Sequence, residues 1–166
     1  MGSPNTLDRR ALGAALLLGG VGLAAASSGV AAEDCRKPAG GLTEADFRAY
    51  IAAFNRSDFD GFSKYYAEDV EFEGRGRHFK SRAEVLTFYR EVKSRMRETI
   101  TIKDIIVGDT DMSANIVTEL VAYRDWPEFV TGPVKKDQVI LSENFVWYEM
   151  KNAKFIHIRS AGYRRL

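Results

Sequence analysis

The hydrophobic pattern of this chain changes its period once, near residue 96, and this change limits the folds that the chain can adopt. Before that point the apolar residues recur at helical spacing, as in the stripe formed by Val85, Phe88, Tyr89 and Val92. After it, apolar and polar residues alternate in four long segments, at 97–108, 113–125, 138–149 and 154–164. Helices followed by a run of strands predict an α+β domain, with the helices packed on one face of an antiparallel sheet.

Three helices are predicted in the first part of the domain. The first begins after Thr43 and places four apolar residues on one face, namely Phe47, Tyr50, Ile51 and Phe54. Asp58 begins a short second helix. Ser81 and Glu84 have the spacing of a capping box and begin the third helix, at about 82–95. Each apolar face must be buried, and the long strands that follow supply the surface for this.

A short strand is predicted at 69–74, where Val70 and Phe72 alternate with Glu71 and Glu73. Long twisted strands curl, and a curled sheet closed by three helices leaves a cone with an interior. We expect a small-molecule site in that interior. The same alternation directs Glu73 away from it.

The charge balance argues against some classes of partner. The chain has 24 Lys and Arg against 23 Asp and Glu, for a net charge of +1. Because the basic residues are interleaved with acidic ones, we expect no nucleic acid partner and no binding to an acidic membrane surface. The spacing of His, Cys, Asp and Glu residues does not indicate a metal site, and we expect no cofactor.

Residues 1–32 have the pattern of an export signal. Arg9 and Arg10 precede a run of about sixteen small and apolar residues, which is short and glycine-rich for a membrane span. Val30 and Ala32 fit the small-residue positions before a signal-peptidase site. The paired arginines resemble a twin-arginine signal; an ordinary secretory signal and an uncleaved anchor are the alternatives. We therefore expect a periplasmic or secreted protein that contacts no membrane once the signal is removed.

A linker is predicted at 33–42, where Pro38, Gly40 and Gly41 lie close together, and the folded domain is expected to span 43–166. Cys35 is the only cysteine of the chain, so an internal disulfide cannot form.

Two segments of the sequence resemble a known family. The segment YYAEDVEFEG at 65–74 is similar to a strand, and SRAEVLTFYR at 81–90 to a helix, of the SnoaL-like and ketosteroid-isomerase-like families of the nuclear-transport-factor-2 superfamily. The resemblance runs from about Thr43 to Arg164. It implies an NTF2-like cone, in which a curved, mostly antiparallel sheet is wrapped on three N-terminal helices around an apolar pocket.

The resemblance also implies roles for particular residues. Ketosteroid isomerases hold a dienolate oxygen with a tyrosine and a protonated aspartate, while a second carboxylate moves the proton. The oxyanion tyrosine falls on Tyr50 and the protonated aspartate near Asn144, which keeps a donor. The base falls on Gly74, which cannot move a proton. Tyr66 and Tyr89 fall on two supporting tyrosines, although a tyrosine on an apolar helix face is also a common core residue.

The remaining candidates complete the predicted site. His78 lies in the return after the short strand, near the expected mouth, and titrates in the useful range; an exposed loop histidine is the alternative. Phe54, Phe72 and Val146 are predicted to bind the ligand together with Tyr66 and Tyr89. We expect a homodimer through the outer face of the sheet, where the alternation leaves Val121, Tyr123, Phe145 and Trp147.

Together these features predict an exported pocket protein that binds a small hydrophobic ligand with a carbonyl or phenolic oxygen. If the protein is catalytic, the resemblance implies isomerisation, cyclisation or dehydration by proton transfer. The alternatives are a ligand-binding module without catalysis, as the glycine at position 74 suggests, and a dimeric interaction domain that uses the outer sheet face.

Overall fold

The computed structural model describes residues 41–74 and 76–166. The predicted export signal at 1–32, Cys35 and all but the last two residues of the predicted linker lie outside the described residues. In the described part of the chain, no helix has the length and apolar character needed to cross a membrane.

Three helices and six strands form the domain. The helices are α1 (Glu44–Asn55), α2 (Phe59–Ser63) and α3 (Arg82–Arg95). The strands are β1 (Tyr66–Gly74), β2 (Arg77–Phe79), β3 (Met96–Val107), β4 (Asp111–Ala122), β5 (Val139–Lys151) and β6 (Lys154–Arg165).

The helices begin where the capping residues predict. The Thr43 hydroxyl accepts a hydrogen bond from the Asp46 amide, and the Asp46 carboxylate accepts one from the Thr43 amide, so α1 has a complete capping box. At α3 only half of the predicted box forms. The Ser81 hydroxyl accepts from the Glu84 amide at 3.3 Å, but the Glu84 carboxylate accepts from the amide of Lys80, one residue before the cap.

The strands form one curved, unclosed sheet in the order β2-β1-β6-β5-β4-β3. Four of its five strand pairs are antiparallel, and β1 and β6 pair in parallel. With α1 and α3 packed against β1 and β3, this is the predicted α+β cone, which the structure confirms. The parallel pair was not predicted, because it joins two strands that are far apart in the sequence.

The alternation of each strand separates an inner face, packed against the helices, from an outer face. Strand β4 shows this most regularly, with every second residue from Met112 to Ala122 buried. In β1 and β6, Phe72 pairs with Ile158 on the inner face, and Glu71 pairs with His157 on the outer face. Each strand therefore contributes to an interior and to a surface at the same time.

A second hydrophobic cluster lies at one end of the cone. Val92 at the end of α3 packs with Leu120 of β4 and with Trp126, Phe129 and Val134 of the segment that connects β4 to β5. Trp126 and Val134 form an isolated antiparallel bridge, which holds this segment over the end of the sheet. The connecting segment thereby becomes one wall of the interior.

Candidate functional site

A cavity lies between the inner face of the sheet, helices α1 and α3, and the segment that carries Phe129 and Val130. The centre of a water molecule can reach about 100 Å³ of it. On the same scale, a cavity needs about 10–15 Å³ to hold one water molecule, so this cavity has room for a small organic molecule in place of several waters. Most of its lining is aliphatic or aromatic, as expected for a small-molecule site.

The structure brings most of the predicted site residues together. Those that line this one cavity are Tyr50, Phe54, Phe72, Tyr89, Asn144 and Val146. They come from α1, β1, α3 and β5, so the cavity depends on the folded cone and not on any single element. Tyr66 does not line the cavity, but its hydroxyl is hydrogen-bonded to that of Tyr50, which does.

The phenols of Tyr50 and Tyr66 form a buried hydrogen-bonded pair, with their oxygens 2.8 Å apart. When Tyr66 donates in this pair, the hydrogen of Tyr50 remains available to a ligand in the cavity. Phe47 and Phe155 pack against Tyr50 with ring centres 5.8 and 5.2 Å away, which fixes the orientation of its ring. The pair is thus a preorganised donor at the end of a short chain of hydrogen bonds.

Burial keeps the phenols of this region protonated. Desolvation raises the pKa values of Tyr50, Tyr66 and Tyr148 well above their ordinary value. The neighbouring phenols raise the pKa values of Tyr50 and Tyr148 further, whereas the hydrogen bond with Tyr50 opposes part of the shift of Tyr66. All three are therefore neutral at physiological pH and act as hydrogen-bond donors. Tyr148 lines the cavity but is absent from the predicted site, although it lies on the same face of β5 as Asn144 and Val146.

Asn144 is buried in the cavity wall, and its amide nitrogen is already engaged. Nδ2 lies 3.2 Å from the Thr118 hydroxyl, the Ser142 hydroxyl and the Ser142 carbonyl oxygen. A carbonyl oxygen only accepts, so it is the nitrogen of the amide that faces Ser142. Because Thr118 lines the cavity and accepts from Asn144, its own hydroxyl hydrogen can be donated to a ligand. The direct donor role predicted for Asn144 stays a prediction.

Glu98 brings a carboxylate into the cavity lining. It lies on β3 opposite Leu120 of β4, and its negative charge contributes to the raised pKa values of both Tyr50 and Tyr66. Glu98 was not among the predicted site residues, although it alternates in phase with Met96 and Ile100, which are buried or half-buried. A carboxylate that lies near protonated phenols is the pairing that proton transfer requires.

Lys93 of α3 lies behind this wall of the cavity. Its Nζ is 3.9 Å from the centre of the Phe54 ring, and no hydrogen-bond partner for it is found in the part of the chain that the structure describes. Burial lowers the pKa of Lys93, and attraction to Glu98 opposes part of that shift. In its charged form Lys93 favours the ionised form of Glu98.

Gly74 lines the cavity at the position where the resemblance places the general base. A Cβ at this position would lie 3.1 Å from the Cβ of Ser160 and 3.3 Å from its carbonyl oxygen. The close approach of β1 and β6 therefore leaves little space for an aspartate side chain here. The carboxylate that lines this cavity comes from another strand, as Glu98 of β3.

The structure places His78 away from the cavity. The histidine lies on β2 and is exposed, and its Nε2 is 3.0 Å from Glu71 and 3.6 Å from Glu73 on the outer face. The prediction that His78 lies in a return loop is therefore wrong, because Arg77–Phe79 pair with β1 as a strand, and the His78 side chain does not line the cavity. Arg77, its neighbour, lines the cavity instead.

Comparison with known proteins agrees with this architecture. The family model for the SnoaL-like domain matches residues 47–158, and a comparison with curated proteins found no match. A candidate polyketide cyclase from Pseudomonas putida has a TM-score of 0.63 at 19% identity, over 72% of this chain and 89% of its own.

Two other solved structures share the fold. A SnoaL-like polyketide cyclase from Agrobacterium tumefaciens has a TM-score of 0.57 at 16% identity, over 72% of this chain and 89% of its own. An LEH-like epoxide hydrolase from M. tuberculosis has a TM-score of 0.58 at 14% identity, over 72% and 80%. At these identities the likeness is one of fold. With a family model that matches most of its length and a cone built around an aromatic cavity, this chain belongs to the SnoaL-like domain family, as its sequence motifs predict.

Proposed function

We propose that this protein binds a small hydrophobic molecule with a carbonyl or phenolic oxygen in the cavity and moves a proton on it. The observation that carries the proposal is that Glu98 and Tyr50 line the same largely apolar cavity, with the Tyr50 hydroxyl hydrogen-bonded to that of Tyr66. In such a site a carboxylate removes a proton, and neutral phenols stabilise the oxygen on which negative charge develops. The Thr118 hydroxyl is a second donor to the same oxygen.

The chemistry follows from these positions. Glu98 takes a proton from the carbon beside the ligand carbonyl, and the electron pair of that C–H bond forms an enolate. Tyr50 donates a hydrogen bond to the enolate oxygen. Return of the proton from Glu98 to another carbon of the conjugated system completes an isomerisation. Attack of the enolate carbon on a second carbonyl forms a C–C bond and an alkoxide, and protonation of that alkoxide by Glu98 completes a cyclisation. Expulsion of a hydroxyl group from the enolate, with the proton returned by Glu98 to give water, completes a dehydration.

The fold does not choose between these reactions. The relatives are named for polyketide cyclisation and epoxide hydrolysis, so the same cone hosts different chemistry. What supports the proposal for this chain is its own set of polar groups: one carboxylate, a phenol pair and a hydroxyl that accepts from Asn144.

The test is carbon-bound proton exchange on a panel of small cyclic ketones and phenols in D₂O, followed by NMR. We expect the wild-type protein to accelerate exchange on at least one member, and Glu98→Gln to reduce that rate by about 10²–10⁴-fold, the usual contribution of a general base. Glu119→Gln, a glutamate of β4 on the outer face that pairs with Arg97, is the matched control and should retain the wild-type rate. Mass spectrometry of molecules that copurify with the protein would extend the panel.

Binding without turnover is the second candidate function. The observation that favours it is Gly74, which leaves the family's base position without a carboxylate. In that case Glu98→Gln should bind a ligand found by copurification as tightly as the wild type. The wild-type protein should then leave proton exchange on that ligand unchanged.

We propose further that residues 1–32 are removed on export and that the mature chain begins at Glu33. The support is the pattern of Arg9 and Arg10, the short apolar run, and Val30 and Ala32 before the cleavage position. N-terminal sequencing of the protein from the cell envelope tests this. A soluble cytoplasmic chain that still begins at Met1 would contradict it.

A further inference from the structure

Both histidines of the chain lie on the outer face of the sheet, beside the same two glutamates. The sequence contains two histidines, and they are 79 positions apart, at 78 and 157. His78 is on β2 and His157 on β6, the two strands that flank β1. Glu71 and Glu73 of β1 lie between them, paired in register with His157 and His78 respectively. The sheet order thus places two carboxylates between two imidazoles.

The distances between these groups are close to those of a metal site. His78 Nε2 lies 3.0 Å from Glu71 Oε2 and 3.6 Å from Glu73 Oε1, and His157 Nε2 lies 3.6 Å from that same Glu73 oxygen. Ligand atoms of Glu71, Glu73 and His157 all lie within 4.8 Å of one another. In a tetrahedral site with bonds of about 2.0–2.2 Å, the ligand atoms are about 3.3–3.6 Å apart. His78 contacts both glutamates but is not part of that group of three, so a site with four ligands requires its ring to rotate toward the other ligand atoms.

His157 lies within ion-pair distance of Glu73 and Glu149, but its Nε2 makes no hydrogen bond to them. Its Nε2 is buried and has no hydrogen-bond partner among residues 41–74 and 76–166, because the Glu73 oxygen at 3.6 Å is beyond hydrogen-bond length. A buried ring nitrogen that faces a carboxylate without bonding to it is unusual. On the other side of the ring, Nδ1 lies 3.8 Å from Glu149 Oε1, which is also beyond hydrogen-bond length.

The charges around the cluster are consistent with a cation. Beside the cluster, Glu149 is paired with Arg159. Glu71 and Glu73 together carry two negative charges, and neutral imidazoles add none. A divalent ion therefore makes the set of four ligands electrically neutral.

We propose that Glu71, Glu73, His78 and His157 bind a divalent transition-metal ion of the zinc type on the outer face of the sheet. Two imidazole nitrogens with carboxylate oxygens favour zinc and its neighbours over calcium and magnesium, which prefer oxygen ligands alone. The ion would join the three-residue edge strand β2 to β6 across β1. Since β1 also supplies Phe72 and Gly74 to the cavity, the ion stabilises one wall of the site from behind.

Calorimetric titration of the untagged, chelator-treated full chain with zinc tests this proposal. A Cys35→Ser background removes the one thiol that would compete for the ion. We expect one zinc ion per chain with a micromolar or lower Kd, and a loss of affinity of at least about tenfold in His157→Ala and in Glu73→Gln. Glu119→Gln, on the same face but paired with Arg97, is the control and should bind like the parent. Zinc should raise the Tm of the parent and leave that of His157→Ala unchanged.

Two outcomes would overturn the proposal: no stoichiometric zinc binding by the folded parent at micromolar concentration, or unchanged affinity in both variants. Circular dichroism checks that the variants fold. Should His157→Ala or Glu73→Gln fail to fold, His78→Ala at an exposed position of β2 gives the same test. Calcium and magnesium titrations determine the class of ion, and binding of either one in preference to zinc would refute the zinc-type assignment.

Discussion

The two faces of one sheet carry opposite chemistry in this protein. The inner face of β1, β5 and β6 presents Phe72, Val146 and Ile158 to an apolar cavity. The outer face of the same strands presents Glu73 and Trp147, directly adjacent in sequence to Phe72 and Val146. Neighbouring residues therefore belong to different functions, because successive side chains of a strand point to opposite sides. Substitutions one residue apart should have separable effects.

Two phenylalanines illustrate the difference. Phe155 is fully buried and packs with Tyr50 and Tyr148 at ring-centre distances of 5.2 and 4.7 Å. Phe145 is 50% exposed on the outer face and packs on Tyr163 at 5.6 Å. The residue type is the same, but its energetic contribution depends on the face that it occupies.

The largest expected effect is the loss of folding stability in Phe155→Ala. Removing a fully buried ring should lower the free energy of unfolding by about 3–5 kcal/mol, because apolar contacts are lost and a cavity remains. Phe145→Ala should cost less than about 1 kcal/mol, as a surface substitution. Urea unfolding at two protein concentrations measures both values and separates any contribution of self-association. Equal losses in the two variants would contradict the assignment of inner and outer faces.

The second prediction concerns the donor in the cavity. Tyr50→Phe removes a hydroxyl and little volume, so it should weaken the binding of a carbonyl or phenolic ligand by about 1–3 kcal/mol. The reaction rate should fall by more if an oxyanion forms. Tyr89→Phe should have a smaller effect. Titration with the copurified ligand measures these losses, and an unchanged affinity and rate in Tyr50→Phe would refute the role of Tyr50.

The third prediction concerns the outer face. Tyr123, Val139, Phe145 and Trp147 are 41–55% exposed there, which is more apolar surface than a small monomer usually leaves in water. We expect sedimentation at micromolar concentration to give a homodimer. Phe145→Ser combined with Trp147→Ser should give a folded monomer with ligand binding intact, because neither side chain reaches the cavity. A wild-type protein that is already monomeric would contradict this prediction.

The smallest effect is expected for Glu143, a buried carboxylate on the outer face. It accepts hydrogen bonds from Asn115, Lys103 and Arg164 at 3.0, 3.2 and 2.9 Å, and these lower its pKa, the bond from Asn115 most of all. The pKa of Glu143 is lower in the folded state than in the unfolded state. The interactions of its carboxylate therefore stabilise the fold at pH values above the unfolded-state pKa, and this stabilisation is lost as the pH falls through the folded-state pKa. Glu143→Gln should therefore be less stable than the wild type at neutral pH.

Urea unfolding across the acid range measures the dependence of this difference on pH. The gap between Glu143→Gln and the wild type should narrow as the pH falls through the folded-state pKa of Glu143, because the wild type then loses the same interactions. Glu119→Gln serves as a control for the removal of a less buried glutamate from the outer face. A gap that stays constant with pH would contradict the role of the Glu143 carboxylate.

Local pattern was sufficient to predict much of the cavity. Tyr50 and Phe54 follow from the apolar face of α1, and Phe72 from the alternation of β1, since both signals concern neighbours in sequence. Glu98 was missed for a physical reason. Strand β3 has apolar residues on both faces, including Ile106 at 72% exposure, and its register shifts between Ile102 and Asp104, so alternation alone does not identify the inner side.

The sequence by itself determined the type and order of the elements except the short strand β2, the capping residues that begin the helices, and the division of each long strand into two faces. Each of these depends on interactions within a few residues. The tertiary structure alone decided which face closes over the cavity, that β1 and β6 pair in parallel, and that His78 and His157 lie on either side of Glu73. These features depend on the order of strands in the sheet. That order is set by packing between residues far apart in the chain, which local periodicity does not encode.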